Sequence, residues 1–71
     1  MSITEITLAG GERLQVQGEA ETIEAAILSA ARGSLLEFAW MADARTGERI
    51  GVNPDHVVAL RAVNAGSGDL G

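Results

Sequence analysis

Polar and apolar positions alternate with period two at the start of the chain. In Ile3-Thr4-Glu5-Ile6-Thr7-Leu8, Thr4, Ile6 and Leu8 share one face, and Ile3, Glu5 and Thr7 share the other. Side chains branched at Cβ suit such a pleated surface. Over residues 12–17, Leu14 and Val16 alternate with Arg13, Gln15 and Gln17. Between the two runs, Gly10-Gly11 permits the positive φ of a tight turn. The pattern predicts a β-hairpin over residues 3–17 with one polar face.

The period changes after Gly18. Ala20, Ile23, Ala26, Ile27, Ala30 and Ala31 form one apolar stripe at helical spacing. Glu19, Glu21 and Glu24 sit where a helix dipole favours negative charge, and Arg32 where it favours positive charge. Gly33 is expected to close the helix as a left-handed residue. A helix over residues 19–32 follows, with an alanine-rich stripe that lets a sheet approach closely.

Residues 34–41, Ser-Leu-Leu-Glu-Phe-Ala-Trp-Met, are apolar on both faces and predict a third strand. Leu36, Phe38 and Trp40 are assigned to the core face, and Leu35, Glu37, Ala39 and Met41 to the outer one. A polar connection, residues 42–47, leads to a fourth strand over residues 48–53, with Ile50 and Val52 inward and Arg49 and Gly51 outward. Pro54 lacks an N–H and extends the residue before it, so Asn53-Pro54-Asp55 ends that strand. Asp55 and His56 are expected in a turn or one 3₁₀ turn. Residues 57–63, Val-Val-Ala-Leu-Arg-Ala-Val, predict a fifth strand of ambiguous facing, with a helix over 55–63 as the alternative.

The order is thus β-β-α-β-β-β. It implies an α+β domain over residues 1–63, an antiparallel sheet with one helix on one face, and a flexible tail over 64–71. Residues 52–60, Val-Asn-Pro-Asp-His-Val-Val-Ala-Leu, resemble a strand-turn-strand phrase of small bacterial β-rich proteins and of LytTR-type DNA-binding domains. The resemblance implies local structure and carries no activity and no site.

Composition turns this pattern into a question of stability. The chain has 71 residues, no cysteine, one histidine and a net charge of -5. Below about 70–80 residues, one core rarely supplies more than about 3–5 kcal/mol without a staple. Cysteine is absent, and one imidazole is too few for a structural zinc. A partner subunit is the staple left. The apolar residues of the outer face, Leu35, Ala39 and Met41, are expected to meet a second copy or another protein. Glu37 would pair with Arg49 or Arg61 to fix the register.

Candidate chemistry is sparse. Asp55-His56 is the one acid–imidazole dipeptide, and Ser29, Ser34 and Ser67 lack a nucleophile context. No catalytic residue, cofactor, metal or small-molecule substrate is therefore expected. The negative charge disfavours nucleic acid. The alternative to an assembly module is a small regulator that binds nucleic acid through Arg45, Arg49 and Arg61. No apolar run has the length of a membrane span. Residues 1–5 lack the pattern of a signal peptide, so the expected location is the cytoplasm. Ala, Gly and Arg abundance without Lys suggests a GC-rich bacterial or phage genome.

Overall fold

A computed structural model describes residues 2–33 and 37–63. Its elements are β1 (Ile3–Leu8), β2 (Arg13–Gln17), α1 (Ala20–Ala31), β3 (Ala39–Ala42), β4 (Arg49–Val52), a 3₁₀ turn (Pro54–His56) and β5 (Val57–Val63). The strands lie in antiparallel sheets with the helix packed against them, in the expected β-β-α-β-β-β order. The single sheet expected from the sequence is divided in two. One sheet has the order β2-β1-β5, and the other pairs β3 with β4. One bridge, Val16 to Asp43, and a 2.8 Å bond from the Ala44 N–H to the Gln15 carbonyl join β2 to the end of β3.

The first hairpin turns through Ala9-Gly10-Gly11. The Leu8 N–H donates to the Glu12 carbonyl at 2.8 Å, and of the two glycines Gly11 takes the positive φ, 91°. This turn sets Ile6 opposite Leu14 and Thr4 opposite Val16, so the predicted apolar positions share one face. Thr4 is fully buried there, and its hydroxyl donates to the Gly18 carbonyl at 2.9 Å. Gly18 has φ 125°, and a Cβ there would also lie 3.3 Å from Ile23 Cδ1. Glycine at this position thus meets two local demands at the entry to the helix.

The helix buries Ile23, Ile27 and Ala30, all on the predicted stripe. Its end differs from expectation. Gly33 is not left-handed; Arg32 stays in the right-handed helical region, and the Gly33 N–H bonds the Ala30 carbonyl at 3.2 Å. The short 3₁₀ turn after Asn53 is as expected. Asn53 Oδ1 accepts the Asp55 N–H at 2.9 Å, and Pro54 occupies a position that needs no donor.

β5 runs antiparallel to β1, with Leu60 opposite Ile6 and Thr4 opposite Ala62. A bulge then shifts the register, so that Leu8 faces Val57 rather than Val58. Leu60 and Val57, which strict alternation assigns to opposite faces, therefore both pack against the core. The core itself consists of Ile6, Val16, Ile23, Ile27, Ala30, Ala39, Met41 and Val52. Both sheets and the helix contribute to it. No helix among the described residues is long and apolar enough to cross a membrane.

Candidate interaction surface

The turn after β3 determines what this surface contains. The Asp43 N–H donates to the Glu48 carbonyl at 2.8 Å, and the Gly47 N–H returns to the Asp43 carbonyl at 2.9 Å. Asp43 Oδ1 accepts the Arg45 N–H at 2.7 Å, and Gly47 takes the positive φ, 77°. The resulting register pairs Ala39 with Val52, Trp40 with Gly51, Met41 with Ile50 and Ala42 with Arg49. Residues opposite one another in an antiparallel pair share a face. Val52 and Ile50 point to the core, so Ala39 and Met41 must do so too.

This inverts the expected facing of the third strand. Ala39 and Met41, expected on the outer face, are 3% and 7% exposed and belong to the core. Phe38 and Trp40, expected in the core, are 47% and 56% exposed. Leu35 and Leu36 lie outside the described residues, as does the tail over 64–71. The strand itself is shorter than residues 34–41 suggested, since pairing begins at Ala39.

The outer face of this hairpin is built from Phe38, Trp40, Arg49 and Gly51. The two rings meet edge to face, with centroids 6.3 Å apart. The Arg49 guanidinium carbon lies 5.4 Å from the Trp40 ring centroid, within range of a cation–π attraction. Gly51 provides the floor: a Cβ there would come within 3.1 Å of Trp40 Cη2 and 3.2 Å of Phe38 Cβ. The aromatic side chains therefore lie across bare backbone rather than inside the protein.

The expected Glu37 pairing also takes another form. Glu37 is exposed, and its carboxylate lies beside Gly33, 2.9 Å from where a Cβ would stand. Arg49 lies over Trp40 rather than pairing with Glu37. Arg61 Nη2 donates to Glu5 Oε1 at 3.0 Å, across the β1–β5 pair. Cross-strand placement of Arg61 was legible; its partner was not. The Arg61 and Glu5 positions are directly opposite, which alignment of β5 with β1 would have revealed.

Arg45 belongs to a shallow polar groove of about 360 Å³, lined also by Glu5, Arg13, Leu14, Gln15 and Asp43. Two guanidinium groups and two carboxylates share it, so it has no strong sign of charge. Neither Arg49 nor Arg61 lines it. Asp55 and His56 are both exposed, within the 3₁₀ turn. Among the described residues, no three His, Asp or Glu side chains gather as a metal site.

The fold and this surface define a small α+β chain with an aromatic, arginine-bearing outer face. Compared with known proteins, the chain matches no family model, no curated protein and no solved structure.

Proposed function

We propose that the chain is a non-enzymatic interaction module that assembles with copies of itself. It would serve as an accessory or structural subunit of a bacterial or phage complex. One observation carries this reading: apolar side chains that a small core most needs stand outside it. Phe38 and Trp40, the chain's one phenylalanine and one tryptophan, are about half exposed. Val58, on β5, is 66% exposed.

Energetics favours a second copy as the occupant. The core is made of aliphatic side chains and alanines, with Ile6 and Val16 its largest fully buried apolar members. A chain of this size gains about 3–5 kcal/mol from one core, and a partner subunit is a common supplement. Trp and Arg are also the residue types that most often dominate protein interfaces. A second copy is present wherever the chain is made, so it needs no further component.

The test is light scattering behind size exclusion over a dilution series. The expected result is a mass of two or more chains at high concentration, falling on dilution. A monomer throughout the micromolar range would overturn the reading.

A second reading is favoured by the Trp40–Arg49 contact. An exposed indole beside a guanidinium can stack on an unpaired base. On this reading, Arg45, Arg49 and Arg61 would bind a nucleic acid with affinity that falls steeply with salt. Absence of binding to a single-stranded oligonucleotide at low salt would exclude it.

A further inference from the structure

We infer that β5 is the edge through which a second copy joins, in antiparallel pairing about a two-fold axis at Leu60. This rests on the self-association reading and puts the joint on the strand that carries Val58, apart from the Phe38–Trp40 face of the other sheet. β5 is at the end of the β2-β1-β5 order, and nothing among the described residues pairs with its outer side. It is seven residues long, whereas β4, at the other sheet's edge, has four. Soluble proteins normally protect such an edge with lysine, proline or an inward charge, or by covering it. Val57–Val63 contains no lysine and no proline, and its one charged residue, Arg61, is held by Glu5 on the outer face.

The hydrogen-bond alternation identifies the free groups. Gly18 donates to Ser2 and Leu8 donates to Glu12, so the even residues of β1 bond to β2. The odd residues Ile3, Glu5 and Thr7 then bond to Val63, Arg61 and Ala59, their partners on β5. The intervening residues Leu60 and Ala62 direct their N–H and C=O groups away from β1, toward the open edge.

Leu60 is the midpoint of Val57–Val63. An antiparallel copy centred there exchanges both bonds of Leu60 with its counterpart and uses the whole strand. It sets Ala62 opposite Val58 of the second copy, covering the most exposed large apolar residue described. Arg61 then faces Ala59 of the second copy, so no like charges oppose one another. The two sheets become one of six strands, with both helices on the same side. Such an interface is isologous and closes at two copies.

Two variants and one exchange measurement test this. Ala62→Pro removes an edge-facing N–H and leaves the β1 bonds intact, the placement in which a strand tolerates proline. Val58→Lys adds a charge to the same edge without touching the core. Each is expected to weaken self-association at least tenfold, with the far-ultraviolet spectrum unchanged. In the unaltered chain, the amides of Leu60 and Ala62 are expected to exchange faster on dilution. A dimer that both variants leave intact, with those amides unprotected, overturns the edge while self-association stands. Protection that is independent of concentration also overturns it, since the chain's own residues would then cover the edge. A monomer at every concentration overturns self-association itself.

Discussion

Exchanging Met41 or its neighbour Trp40 for glutamate should have opposite outcomes. Met41 is 7% exposed, in a core cluster made of Ile, Val and Ala side chains. Removing a buried methionine costs about 2–5 kcal/mol. An unpaired carboxylate at that place adds its desolvation, about 1–3 kcal/mol or more. The total meets or exceeds the ~3–5 kcal/mol that a core of this size supplies. Met41→Glu is therefore expected to be unfolded at neutral pH, with a coil-like far-ultraviolet spectrum.

Trp40 is 56% exposed, so a little under half of it is covered. A tryptophan that buries ~150–250 Å² when enclosed has roughly 70–110 Å² to lose here. At ~25 cal/mol per Å² that is about 2–3 kcal/mol, an upper bound because the unfolded chain is itself partly compact. A glutamate at this position also lies diagonal to Arg49, which stands opposite Ala42 on the same face, and regains some attraction. Trp40→Glu should remain folded at 25 °C, with a midpoint lowered by about 8–20 °C. The assay is thermal unfolding followed by circular dichroism. An unfolded Trp40→Glu beside a folded Met41→Glu would refute the facing of β3.

Thr4→Val keeps the shape of a fully buried side chain but deprives the Gly18 carbonyl of its donor, so urea unfolding should show a loss of about 1–3 kcal/mol. Gly18→Ala forces a side chain into φ 125° and toward Ile23, and should cost about 1–3 kcal/mol by the same measurement. A double-mutant cycle on Glu5 and Arg61 should give a coupling below about 1 kcal/mol that fades with salt, because the arginine is largely exposed. A larger coupling would mean the pair is shielded, as by a partner across the sheet.

The hairpin, the helix, the 3₁₀ turn and β5 were legible because each carries a local signal: alternation, a helical stripe, an Asn-Pro pair, a β-branched run. The facing of β3 carries none. Both of its faces are apolar, so alternation defines two sets without saying which is buried. The aromatic set was the natural choice, since large side chains gain most from burial. What decides the matter is the Asp43–Glu48 turn, which places Trp40 against Gly51; a slip of one residue would have set it against Ile50 and reversed the face. The alanine-rich helix stripe agrees with that outcome, because a closely approaching helix leaves room for Ala39 and Met41 rather than for two rings. The bulge opposite Leu8 was hidden for a related reason: it breaks the alternation of β5, so no strict two-face assignment could fit Val57 and Leu60 together.

The residues expected to share one surface are therefore divided by the fold. Arg49 is on the outer face of the β3–β4 hairpin, Ala39 and Met41 are beneath it, and Arg61 is bound to Glu5 on the other sheet. The apolar edge of β5 was visible as composition, yet only the sheet order shows that it stands at an end.

The central claim is that a second copy adds stability to a small core whose largest apolar side chains stand outside it. The concentration dependence of the thermal midpoint tests it most directly. Association coupled to folding raises the midpoint with protein concentration. A rise across a hundredfold range, abolished in Ala62→Pro, is the predicted result. A midpoint that is high and constant from nanomolar to millimolar chain would contradict it.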